Sequence, residues 1–99
     1  MNIEMNWGPN PAADNVTQYH VWHGSTNACA NLMTTVPAST SPMSASIPPQ
    51  GLGYAPGSII YVGLSAVNAQ GESAKLVFGP FAIPMPAVAA VPSATATVT

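Results

Sequence analysis

At 99 residues the chain has room for one domain built on one core, and its single cysteine, Cys29, excludes an internal disulfide. Only Glu4, Asp14, Glu72 and Lys75 are charged, 4% of the chain where about 25% is usual. One lysine and no arginine exclude a phosphate-neutralising surface, and with it sequence-independent nucleic-acid binding and electrostatic attachment to anionic membranes.

A surface so close to neutrality promotes association, which points to partners covering much of it. The opening Met1-Asn2-Ile3-Glu4-Met5-Asn6-Trp7 has neither a basic stretch nor an apolar one, so no secretory signal is expected. No apolar run reaches the roughly 18 residues of a membrane-spanning helix. With Met1 as the start, the expectation is synthesis in a cytoplasm without an export address.

Eleven prolines and eight glycines divide the chain into short pieces, and those pieces alternate with period two. Short antiparallel strands are predicted throughout. Ile3 to Trp7 is the first, with Ile3, Met5 and Trp7 on one face, stopped by Gly8-Pro9-Asn10-Pro11. Val16 to His23 is the second; Tyr19 and Val21 face one way, His20 and Trp22 the other. After a loop at residues 24–27, Leu32 to Val36 reads as a short edge strand. Met43, Ala45 and Ile47 alternate with serines in another. Ser58 to Val67 has the clearest pattern. Ile60, Val62, Leu64 and Ala66 form one face and Ile59, Tyr61, Gly63 and Ser65 the other. Asn68-Ala69-Gln70-Gly71 is a hairpin turn with glycine placed for a positive φ, and Lys75 to Phe78 returns as its partner. From Gly79 on, Pro, Ala, Val, Ser and Thr without charge favour an extended path.

Tyr54-Ala55-Pro56-Gly57-Ser58, followed by Val62 through Ser73, resembles the second half of a fibronectin type III domain: a Pro-Gly-Thr-like turn leads into a strand ending in Ala-Val-Asn and a glycine turn. Trp7 matches the tryptophan that ends that family's second strand, and Tyr19-His20-Val21 its Tyr-x-Val pattern. The resemblance covers roughly residues 3–79. It implies an all-β, immunoglobulin-like antiparallel sandwich over residues 1–79, with residues 80–99 as an extended tail. The family's tyrosine after the Pro-Gly-Thr turn is replaced by Ile60, so a tyrosine-corner bond is expected to be lost or displaced to Tyr61. The family's first strand is missing, which leaves an open edge. Pro92 to Thr99 looks like that strand at the opposite end of the chain, with an Ala/Thr/Val alternation suited to a sheet edge. The expectation is that Ala94, Thr95, Ala96, Thr97 and Val98 fill the vacancy, in the same domain or a neighbour's.

Residues with catalytic potential are sparse. His20 and His23 are three apart on a strand and point to opposite faces, so no shared metal ion is expected. No Gly-x-Ser-x-Gly elbow occurs, and neither histidine has an evident carboxylate partner. Gly51 and Gly53 belong to a turn and do not form a phosphate loop. Cys29 reads as a small apolar residue. No catalytic, cofactor or metal residue is assigned, and the chain is not expected to be an enzyme.

Apolar residues on the face away from the core are the informative feature. Trp22, Tyr61 and Ile59, with His20 beside them, are expected to form one exposed patch, the composition of an interface. Three functions follow. One is a virion structural protein, a capsid decoration or fibre subunit of a tailed bacteriophage, that binds itself or a capsid protein. The second is an extracellular carbohydrate- or cell-surface-binding module. The third is a spacer within a larger extracellular enzyme.

Overall fold

The computed structural model describes residues 1–40, 43–85 and 96–98. Among these residues seven strands follow one another: β1 (Ile3–Trp7), β2 (Gln18–Gly24), β3 (Asn31–Pro37), β4 (Met43–Ile47), β5 (Ile59–Asn68), β6 (Gly71–Glu72) and β7 (Leu76–Ala82). A single 3-10 turn, Ala12–Asp14, lies between β1 and β2. The period-two segments became strands because one set of their side chains is apolar and can be buried against a second layer. The result is an all-β sandwich of two antiparallel sheets.

The sheets are unequal. Among the described residues one contains β1 and β4 alone, paired from Ile3–Ile47 to Trp7–Met43. The other is centred on β5, with β2 and then β3 on one side, and β6 followed by β7 on the other. Ile3, Met5, Ala45 and Ile47 descend from the small sheet onto Val21, Ile60 and Val62 of the large one. Ile47, Ile60 and Val21 are fully buried. Tyr19 is also buried, with Trp7 edge-on to it at 5.7 Å. Leu64 and Ala66 are only half-buried.

Two local features depart from a plain ladder. Between Glu72 and Leu76 three residues oppose the two between Leu64 and Val67, so the edge bulges outward at Ser73–Lys75. A second irregularity falls where Phe78 and Phe81 pair with Val62 and Ile60. Gly79 supplies it: its φ is +124°, and a β-carbon there would lie 3.1 Å from the Ile60 carbonyl. The extra residue restores Phe81 to the side already occupied by Leu76 and Phe78, and Ile83 then closes the core at 2% exposure. β7 thus runs four residues past its expected end at Phe78, and Pro80 is accommodated because, among the described residues, β7 pairs with β5 alone.

Ile60 points into the core, and Tyr61 lies on the opposite face with its ring beside Gly79. Of the two outcomes expected for the tyrosine corner, loss or displacement to Tyr61, the second is not seen: Tyr61 makes no side-chain hydrogen bond among the described residues. The hydroxyl that ties a loop down belongs to Tyr19, which donates to Asn10 Oδ1 (3.0 Å) and accepts from the Asn10 N–H (3.1 Å).

Candidate functional site

On the outer face of the large sheet, β2 and β5 place His20 opposite Ser65 and Trp22 opposite Gly63. The hairpin Asn68–Gly71, with Gly71 at φ +135°, brings β6 back so that Glu72 reaches the same spot. Trp22 Nε1 donates to Ser65 Oγ at 2.9 Å, and Ser65 Oγ donates to Glu72 Oε2. His20 Nδ1 sits 3.2 Å from Glu72 Oε1, close but without hydrogen-bond geometry. The Ser65 hydrogen bond, reinforced by the charges of His20 and Lys75, holds the Glu72 carboxyl below its ordinary pKa.

The absence of a carboxylate beside either histidine, expected from the sequence, is therefore overturned for His20. Serine, histidine and carboxylate meet in the order Ser65–Glu72–His20, and Ser65 is 2% exposed. Nucleophilic activation needs the imidazole to take the serine proton. Here the carboxylate accepts that hydrogen, so the trio holds the hairpin in place. His23 points the other way, into the sandwich, with Nδ1 2.7 Å from the Tyr54 hydroxyl, and burial lowers its pKa. Among the described residues no three of His, Cys, Asp and Glu converge.

The expected aromatic patch is not a single surface. The loop after β2 folds back over the outer face and seats Cys29, fully buried with φ +44°, in the space left by two glycines. A β-carbon on Gly24 would lie 3.0 Å from Cys29 Cα, and one on Gly63 3.4 Å from Cys29 Cβ. Lys75, from the bulge, fastens this loop: Nζ donates to the carbonyls of Cys29 (3.0 Å) and Ala28 (3.4 Å) and lies 3.9 Å above the Trp22 ring. His20 meets the same indole edge-on. Trp22 is half-buried under these groups and separated from Tyr61 by the Cys29 loop; Ile59, 42% exposed, lies two residues further along β5. Burial raises the Cys29 thiol pKa against the opposing pull of Lys75, so the thiol is held in its protonated, unreactive form.

A continuous stretch of exposed apolar surface lies on the inner side. Leu76 and Phe78 of β7 face the interior of the sandwich, yet they are 61% and 42% exposed because, among the described residues, the small sheet ends at β1 and does not reach over them. β1 along its whole length forms one wall of a groove of about 290 Å³, β7 forms the other, and Val62 and Leu64 are its floor. Period two predicted which residues face inward; it carries no information about whether the opposite sheet is wide enough to cover them.

Of the tail residues expected to act as a strand, Ala94 and Thr95 lie outside the described residues. Ala96, Thr97 and Val98 are exposed and belong to no strand, with Val98 as exposed as in a free chain. Comparison with models of protein families, with curated proteins and with solved structures found no match to this chain.

Proposed function

We propose that this chain is a non-enzymatic structural module, of fibronectin type III-like architecture, that assembles with other proteins through the open side of its sandwich. One observation carries the reading: a groove walled by β1 and β7, with Leu76 and Phe78 facing inward and still wet. Leu76 is 61% and Phe78 42% exposed, so covering what remains exposed contributes on the order of 1 kcal/mol each. The other edge of β1 offers backbone donors and acceptors that no described strand takes up, the arrangement that strand addition uses. Four charged side chains in the whole chain, two of them spent on the Trp22 cluster, leave little to oppose contact. A subunit of a tailed-phage particle, as decoration or fibre protein, is the setting that fits these properties best.

The test is association. The full chain is expected to sediment as a concentration-dependent multimer, or to bind particles, and Phe78→Asp is expected to abolish this while the far-ultraviolet circular dichroism stays unchanged. A chain that remains monomeric at all concentrations and binds no particle removes the reading.

Glycan binding is the second reading, favoured by a shallow cleft of about 570 Å³ at Trp22 that Asn27, Glu72 and Ser73 help to line. Lys75 lies over the indole face a sugar would stack on, which weighs against it. A glycan screen in which Trp22→Ala removes a signal seen with the parent chain would favour this second reading.

A further inference from the structure

Resting on the assembly reading above, we propose that the groove between β1 and β7 is filled by residues 92–98 of a second copy, laid antiparallel along the free edge of β1. Four observations converge on that occupant. The segment Pro92-Ser93-Ala94-Thr95-Ala96-Thr97-Val98 alternates small apolar and hydroxyl residues, so one face carries Ala94, Ala96 and Val98 and the other Ser93, Thr95 and Thr97. Small apolar side chains suit a groove of about 290 Å³ that already holds Leu76, Phe78 and Trp7 in its walls. Proline at the head of the segment stands where a strand tolerates it. The described part of the segment, Ala96 to Val98, is exposed and unpaired.

The geometry of the chain's exit favours a second copy over the same one. Trp7 lies against Tyr19, which pairs with Ala66, so β1 ends where β5 ends. Ile83 bonds to Ser58 and Gly57, and Met85 occupies the space above Gly57, so the chain leaves the sandwich where β5 begins. To lie antiparallel to β1 in its own domain, the tail must first climb the length of β1 and then reverse. Five residues of strand take about 17 Å, and residues 86–91 reach at most about 20 Å when fully extended. Roughly one residue is left for a reversal that usually needs two. Between copies no such climb exists, and the antiparallel pairing, the more stable of the two kinds, is free to form. Because the donor end and the acceptor groove are different surfaces, the contact is head-to-tail and generates chains or closed rings.

Disulfide trapping between two full-length copies of different mass, one carrying Asn6→Cys and the other Thr95→Cys or Thr97→Cys, tests the proposal. The expected result is a mixed-copy disulfide in at least tenfold excess over either same-variant dimer. A chain ending at Val91, which keeps Ile83 and hence the core, is expected to associate at least tenfold more weakly than the full chain. A disulfide formed within one chain carrying both substitutions, in preference to the mixed dimer, overturns exchange between copies. Absence of either disulfide, with association unchanged in the shortened chain, overturns the tail as occupant. In that last case Phe78→Asp separates the two levels: association lost shows that the groove works with another occupant, and association kept removes the assembly reading as well.

Discussion

The outer face around Trp22 and the inner flank around Phe78 exchange the roles that their sequences suggest. The outer face carries His20, Ser65 and Glu72, the composition of a solvated surface, yet a loop seated by Cys29 and fastened by Lys75 covers part of it. The inner flank carries Leu76 and Phe78, the composition of a core, yet nothing among the described residues lies over it. Which side of a strand is polar follows from its own residues. Whether that side is dry depends on how far the element above it extends, a non-local property.

The largest expected effect tests that contrast directly. Ile60 and Leu76 both face inward, but Ile60 is fully buried and Leu76 is 61% exposed. Ile60→Ala is expected to destabilise the fold by about 2–5 kcal/mol, and Leu76→Ala by less than about 1 kcal/mol, measured by urea denaturation at low protein concentration. Equal costs would mean that the flank is covered in the isolated chain. At high concentration the cost of Leu76→Ala should grow, because a partner that binds only the folded form adds to stability by mass action.

The second prediction concerns the covered outer face. Gly24→Ala places a methyl group 3.0 Å from Cys29 Cα and 3.3 Å from the Thr26 carbonyl, both backbone atoms. The loop must move, at a cost of about 1–3 kcal/mol. Gly63→Ala meets Cys29 Cβ at 3.4 Å, an ordinary contact, and is expected to cost less. Thermal midpoints of the two variants give the comparison, and reversal of their order would mean that the Cys29 loop does not sit where Gly24 and Gly63 admit it.

Much of this fold is legible in the sequence, and the exceptions share a cause. Ile3, Met5, Tyr19, Val21, Ile60 and Val62 were identifiable as inward-facing because their alternation is unbroken and each lies in a strand of ordinary length. Phe81 and Ile83 were not, because Gly79-Pro80 reads as a stop; a proline there is tolerable because, among the described residues, β7 pairs with one neighbour. The Trp22 cluster was half legible. His20 and Trp22 share a face by period, but Glu72 and Lys75 arrive through a hairpin and a bulge whose extra residue leaves no mark in the alternation. The nearest signal was Asn68-Ala69-Gln70-Gly71, which fixes a reversal and so returns Glu72 toward the strand that holds Ser65. The seating of Cys29 required two glycines on different strands, Gly24 and Gly63, to be neighbours, which no single segment reveals.

Removal of the fastening is the third test. Lys75→Met keeps the aliphatic stem and deletes the ammonium that bonds two loop carbonyls and lies over Trp22. A loss of about 1 kcal/mol is expected, together with faster hydrogen exchange confined to residues 25–30. Unchanged exchange there would mean that the loop is held by Cys29 packing alone.

The smallest effect is a pH dependence, and its sign separates the outer cluster from the interior. Glu72 is held below its ordinary pKa of 4.5, first by the Ser65 hydrogen bond and then by His20 and Lys75. A carboxyl so lowered stabilises the fold fully above its unfolded pKa, and the contribution disappears as pH falls through the folded value. His23 also has a lowered pKa, from burial, so protonation of the unfolded chain begins to erode stability as pH falls from about 6.5. Glu72→Gln removes the first contribution and leaves the second. The difference in thermal midpoint between parent and variant is therefore expected to persist down to about pH 5 and to close below about 4.5, while both curves fall together below about 6.5 because of His23. A difference that instead closed near 6 would assign the outer cluster's stability to the protonation of a histidine and not to the carboxylate held by Ser65.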